Sequence, residues 1–383
     1  NEGEFFRSGI EIPSITAQDN DAYSVFGTVD YQLNESLTAT VGLNYTKDEK
    51  EVWVIQPENP DVFSALDLTT LAGGAFAFLR GVQFRPPNID IPNVVEDGKS
   101  SDSDTTWLAR LAWAVNDDLN IYASAATGFK SSSWVLAGNE SRAFRSDQAA
   151  LEAAGLTSPD QRYGARVSFP EYATVYELGL KARFDKGYLN VAIFDQEIED
   201  FQTRLFDGVD FVVANAGQLS SKGIEFDTLY VPNDNWQFTL AATYLDPVYD
   251  DFQNAPAPFG VGGTVDRSGT QPGGIHDLSA VATVVYNLAF DNGMDGYLRA
   301  EYQYEHDTGL SDAFPDIARE VNTVNASAAL NFNEHMSAQL WGRNIFEDES
   351  WTGAFPGVAQ TGTINSFLSD KRTSGVTFSY HFH

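Results

Sequence analysis

Apolar and polar residues take turns along this chain from one end to the other, and no other feature limits its fold so tightly. At the C-terminus Val376, Phe378, Tyr380 and Phe382 alternate with Thr377, Ser379 and His381. A period of two sends the first set to one face of a β-strand and the second set to the other. The same beat recurs in Leu37-Ala39-Val41-Leu43-Tyr45, Tyr176-Leu178-Leu180-Ala182-Phe184, Trp236-Phe238-Leu240-Ala242-Tyr244, Leu298-Ala300-Tyr302-Tyr304 and Val324-Ala326-Ala328-Leu330-Phe332. Two architectures use such strands. In a soluble sandwich the apolar face points into a core. In a membrane barrel it points to lipid, and the polar face lines a wet lumen.

Composition narrows the field. The chain has 383 residues with 54 acidic and 23 basic side chains, a net charge of -31. Phosphate backbones need a basic surface, so a nucleic-acid partner is excluded. Cysteine is absent, which removes disulfides and thiolate metal sites. No apolar run reaches the length of a membrane helix, the longest small-and-apolar stretch being Leu71 to Leu79. Barrel strands need only about ten alternating residues, so a mean hydropathy of -0.26 is compatible with them.

Connector lengths separate the two architectures. About thirteen to fourteen strands are readable, near 22–32, 36–47, 104–115, 119–130, 172–184, 187–206, 209–230, 235–246, 276–288, 296–306, 320–331, 335–346 and 371–382. Short turns at Leu33–Glu35, Asn116–Asp118, Asp185–Lys186, Val231–Asp234, Ala289–Asp295 and Phe332–Glu334 alternate with long segments at 48–103, 131–171, 247–275, 307–319 and 347–370. Only the tight connection at Asp207–Gly208 breaks the rule. Short turns at one end and long loops at the other belong to an outer-membrane barrel. Trp107, Trp113, Trp236, Tyr244, Phe332 and Trp341 fall near strand ends, as interfacial girdles require. Leu180, Leu240, Leu330 and Phe378 are expected on the lipid-facing belt. With the last strand running toward the periplasm, the first one runs the same way. An odd set starting downward is expected of the C-terminal part of a larger barrel.

Several segments together resemble the TonB-dependent receptors, a family of 22-stranded outer-membrane transporters. Tyr122-Ala-Ser-Ala-Ala-Thr-Gly-Phe-Lys130 and Glu171-Tyr-Ala-Thr-Val-Tyr-Glu-Leu-Gly-Leu-Lys181 are similar to two of its strands. Asp200-Phe-Gln202, Asn215-Ala-Gly217 and Lys222-Gly-Ile-Glu225 follow in the family's order. Leu340-Trp-Gly-Arg-Asn-Ile-Phe346 and Arg372-Thr-Ser-Gly-Val376 resemble its last two strands, and Phe26-Gly-Thr-Val-Asp-Tyr31 with Val41-Gly-Leu-Asn-Tyr45 a mid-barrel hairpin. The resemblance implies that residues 1–383 are the C-terminal portion of the barrel, with the plug domain, the TonB box and about nine strands absent. It implies TonB-dependent uptake of a scarce nutrient, a ferric siderophore complex first, in the outer membrane of a Gram-negative bacterium. An oligosaccharide or cobalamin receptor, a passive porin-like or fatty-acid channel and a structural or adhesion barrel remain alternatives. The implied partners are outer-membrane lipid and lipopolysaccharide, the TonB complex through the missing N-terminal part, and a small-molecule ligand.

Candidate chemistry is sparse. His276, His306, His335, His381 and His383 are scattered without metal-ligand spacing, and no acid, base and nucleophile set converges, so neither an enzyme nor a metal site is expected. Glu177, Lys181, Arg183, Arg299, Glu301 and Glu305 are expected to line the lumen. Ligand contacts are expected in the extracellular loops, from Trp134, Arg142, Arg145, Arg162 and Tyr163, joined by Trp351 and Phe355. Rings stack on flat or apolar faces, and guanidinium forks grip carboxylates or catecholates. A short helix is expected over Ala149 to Ala154. No resident cofactor is expected. Loop acids such as Asp97, Asp102, Asp104, Asp246, Asp250 and Asp251 offer oxygen ligands to calcium, against the plainer role of a solvated rim.

Overall fold

The computed structural model describes residues 15–55, 69–75, 77, 98–135, 167–206, 211–258, 264–356 and 363–382. Its strands in chain order are β1 (Ile15–Asn34), β2 (Leu37–Ile55), β3 (Lys99–Asn116), β4 (Leu119–Lys130), β5 (Ser133–Trp134), β6 (Val167–Ser168), β7 (Glu171–Phe184), β8 (Gly187–Phe206), β9 (Phe211–Tyr230) and β10 (Trp236–Asp251). They continue as β11 (Ala255–Pro256), β12 (Thr264–Val265), β13 (Leu278–Ala289), β14 (Asp295–Ser311), β15 (Phe314–Asn331), β16 (Met336–Arg343), β17 (Trp351–Pro356), β18 (Ile364–Leu368) and β19 (Thr373–Tyr380).

Thirteen of them form one antiparallel sheet in the order β1-β2-β3-β4-β7-β8-β9-β10-β13-β14-β15-β16-β19, with β1 and β19 at its ends. Neighbours in the sheet follow one another along the chain, so each pairing closes through a hairpin. The six short segments pair with each other as β5-β6, β11-β12 and β17-β18, all in the long connections.

The short-turn end owes its tightness to asparagine. Asn34, Asn116, Asn233, Asn292 and Asn333 each accept, through Oδ1, the backbone N–H two residues on, at 2.9–3.1 Å. This side-chain turn replaces a ladder hydrogen bond where the chain reverses.

The two faces of the sheet differ in coverage. Along β3 Trp107, Leu111 and Trp113 are exposed, whereas Thr106, Leu108 and Arg110 opposite them are partly covered. Coverage of the polar side in a single layer means that the sheet curves toward it, as a barrel wall does. On the other side Phe378 keeps 78% of its surface open. Leu180, Leu240, Leu330 and Phe378 all point outward in register, although Leu330 sits next to the Phe332 turn, near the edge of the belt rather than its middle.

Three expectations change. Residues 307–319, read as a long loop, are mostly strand, because β14 and β15 continue to a two-residue turn at Asp312–Ala313. Register shifts between Glu305 and Thr308 and between Gly309 and Ser311 reset the alternation there, which hides the strand from a period-two reading. Trp341 belongs to the polar face, opposite Gly375, and donates Nε1 to Thr377 Oγ1 at 3.2 Å, so it is no girdle residue. Of the acids read as loop residues, Asp102 and Asp104 lie in β3 and Asp246, Asp250 and Asp251 in β10, Asp246 opposite Lys222, while Asp97 lies outside the described residues.

Candidate functional site

Register carries the polar face from strand to strand. Tyr122 pairs with Gly179, Glu177 with Phe194, Asn190 with Asp227 and Thr283 with Glu301. Followed through, it puts Glu177, Lys181, Arg183, Arg299, Glu301 and Glu305 on one face. Two hydrogen-bonded groups form there. In the first, Tyr122 donates its hydroxyl to Glu177 Oε1 at 2.5 Å, under the Arg110 guanidinium 4.5 Å above the ring centroid, with the Lys181 ammonium 5.8 Å away. Gly179 makes this possible, since a Cβ there would lie 2.2 Å from Tyr122 Cζ. In the second, Glu301 receives Arg299, Gln303 Nε2 at 3.1 Å and Asn325 Nδ2 at 3.1 Å. Glu305 joins Arg319 at 2.7 Å and His276 Nε2 at 3.0 Å.

Asn325 also accepts the backbone N–H of Asn344 at 3.0 Å, and Asn344 fastens the exit from β16. Its amide donates to Asp348 O and Asp370 O, and its Oδ1 accepts from Asp348 N, at 2.8–2.9 Å. Asn344 adopts φ +48°, a left-handed conformation that asparagine tolerates better than most residues.

The long-connection end is organised by three side chains that the sequence reading did not single out as functional. Gln202 and Asn215, inside the two recognised motifs, clamp the roots of the 131–171 connection. Gln202 donates Nε2 to Ser131 O at 2.9 Å and Phe169 O at 2.7 Å, and its Oε1 accepts Ser133 Oγ at 2.9 Å. Asn215 takes Phe169 N on Oδ1 at 2.9 Å and returns Nδ2 to Phe169 O at 3.0 Å, as a neighbouring strand would. Asp312 holds the third junction. Its carboxylate accepts Tyr249 OH at 2.9 Å, Arg267 Nη1 at 3.2 Å and Gly273 N at 2.9 Å, so the connection after β10 is strapped to the β14–β15 turn. Ala216, Leu219, Tyr249, Phe252 and Ala255 pack beneath it as a small core. Burial, reinforced by the Asp312 carboxylate, pushes the Tyr249 phenol well above the ordinary tyrosine range.

The expected ligand residues separate. Trp134 pairs with Val167 and donates Nε1 to Ser100 Oγ at 3.1 Å, so its indole N–H is committed to β3. Trp351 and Phe355 stand on the β17–β18 hairpin beside β14 and β15, where Phe355 meets Phe367 with ring centroids 5.7 Å apart. Arg142, Arg145, Arg162, Tyr163 and the Ala149–Ala154 segment lie outside the described residues. Among the described residues, no three acidic or histidine side chains converge on a metal-binding geometry.

Residues 5–345 match the family described as TonB dependent receptor-like, beta-barrel. The chain belongs to that family. It is a transport family rather than an enzyme family, and its members sit in the outer membrane of Gram-negative bacteria. The fold is similar to that of the ferric yersiniabactin uptake receptor FyuA from Yersinia pestis, with a TM-score of 0.68 at 13% identity over 97% of this chain and 47% of that one. The ferric-catecholate import receptor Fiu from E. coli K12 gives 0.62 at 15% identity, over 96% and 45%. The copper transporter OprC gives 0.62 at 12% identity, over 95% and 49%. The chain therefore spans about half the length of these solved relatives. The short turns and the long connections lie at opposite ends of its sheet.

Proposed function

We propose that residues 1–383 form the C-terminal wall of a receptor that takes up a scarce nutrient across the outer membrane by TonB-dependent transport, with a ferric siderophore complex as cargo. One observation carries this: nearly the whole chain shares the fold of a ferric yersiniabactin uptake receptor, with Glu177, Lys181, Arg183, Arg299, Glu301 and Glu305 together on the face that would be the lumen. The lumen plug and the contact with the TonB complex then belong to sequence outside residues 1–383. Trp351 and Phe355, on an outward hairpin, serve as ring contacts for the ligand, with Arg142, Arg145, Arg162 and Tyr163 supplied by the 131–171 connection. Trp134 acts as an anchor at the root of that connection.

The test is uptake of a panel of radiolabelled ferric catecholate, hydroxamate and carboxylate complexes by iron-starved cells with and without this gene. The gene should be needed for at least one complex, and collapse of the proton-motive force should stop that uptake. Uptake that persists without the proton-motive force would establish the passive channel instead.

A further inference from the structure

Two constructions of one kind stand on the polar face, the first at β3, β4 and β7 and the second at β16 and β19. In each, an aromatic ring lies across a glycine of the next strand. A Cβ on Gly179 would fall 2.2 Å from Tyr122 Cζ, and one on Gly375 would fall 2.6 Å from Trp341 Cζ2. In each, a guanidinium rests over that ring, Arg110 at 4.5 Å from the Tyr122 centroid and Arg343 at 5.5 Å from that of Trp341. They differ at the polar edge of the ring. Tyr122 donates to the Glu177 carboxylate, whereas Trp341 donates to the neutral hydroxyl of Thr377. The first stack carries its own counter-charge and the second carries none.

The wall around the second stack does not supply one. Arg343 is exposed, and among the described residues its guanidinium meets the Trp341 ring and no carboxylate. Glu301 already holds Arg299, Gln303 and Asn325, and beyond the strand end Glu347 and Glu349 are paired with Arg372 and Lys371. We propose that Arg343 receives a carboxylate of the transported complex, which makes the cargo a ferric complex of the carboxylate class. A guanidinium fork matches the two oxygens of a carboxylate and holds them in one orientation. The ring beneath keeps the fork on the wall, and the first stack shows which counter-charge such an arrangement accepts. A neutral complex would leave the cation without a partner. The source of the carboxylate rests on the proposed transport role; the unpaired guanidinium does not.

Labelling of the whole receptor in detergent micelles with phenylglyoxal, which attacks unpaired guanidinium groups, reads the site by peptide mass mapping. Arg343 should react readily, and ferric citrate should slow its reaction several-fold. A neutral ferric trihydroxamate at the same concentration should leave it unchanged, and ferric citrate should affect Arg110, beside Glu177, far less. Thr377→Asp gives the second stack a carboxylate of its own and should remove the ferric citrate effect. The wild-type comparison needs no variant to fold. An Arg343 unreactive from the outset, equal protection by the two complexes, equal protection of Arg110 or no protection at all would overturn the site. So would continued protection in a Thr377→Asp receptor shown to be folded by heat-modifiable migration on a gel. Uptake that does not need the gene would instead strike the transport role and leave the labelling result readable.

Discussion

Asp312 shows how much a single side chain holds at the long-connection end. Arg267 and Asp312 are both nearly buried, and the carboxylate neutralises the guanidinium while also receiving Tyr249 and Gly273. Asp312→Ala leaves a buried cation without its partner, which typically costs about 3–5 kcal/mol. The loss should appear as rapid protease cleavage within 252–274 while the folded gel mobility is retained. Tyr249 adds a pH dependence of known sign. Its folded pKa is raised above the unfolded value of about 10, so the unfolded segment releases the proton first. The stabilisation is complete below that pH and is lost as pH rises through it. Hydrogen exchange of the strap should therefore steepen above pH ~10 in the wild type, and Tyr249→Phe should remove the steepening.

At the level of elements, the hairpins were legible and their far ends were not. Inside the membrane one face meets lipid and the other water, so Leu298 to Tyr304 alternate cleanly and strand β14 can be read. Beyond the membrane both faces are wet and the alternation loses its cause, which is why the continuation of β14 and β15 to Asp312 escaped a pattern reading. Cross-strand partners were equally hidden. Tyr122 and Glu177 meet only through the register of β4 with β7, which the turn and the buried face set and no local motif announces. A glycine placed opposite an aromatic, as Gly179 is to Tyr122 and Gly375 to Trp341, was the available signal. The motif residues Gln202 and Asn215 were visible, but their task as clamps required coordinates. Each hydrogen bond they make contributes about 1 kcal/mol, so Asn215→Leu should speed exchange at the Phe169 amide by roughly ten- to a hundredfold. Unchanged exchange there would mean that the roots of the 131–171 connection are held by something else.

For the molecule as a whole, the account predicts opposite responses from adjacent residues. Val284 lies mid-strand on the outward face of β13, and Thr283 faces the lumen opposite Glu301. Val284→Arg should destabilise the membrane-inserted protein by about 2–4 kcal/mol, the penalty for a cation near the bilayer midplane. Thr283→Arg should stay within roughly 0.5 kcal/mol, as a solvated surface change does. Asn325 would be a poor comparison, because it holds both Glu301 and Asn344. Equal costs at 283 and 284 would remove the asymmetry on which lipid and lumen faces rest. The most direct measurement uses the absence of cysteine from the chain. Single cysteines placed in turn at positions 236 to 246 of β10, spin-labelled in lipid vesicles, report contact with dissolved oxygen and with a water-soluble nickel complex. Labels at 238, 240, 242 and 244 should favour oxygen and those at 237, 239, 241 and 243 the nickel complex, in strict alternation. Equal access to both reagents along the strand, or the reverse phase, would contradict a sheet that turns its apolar face to the membrane.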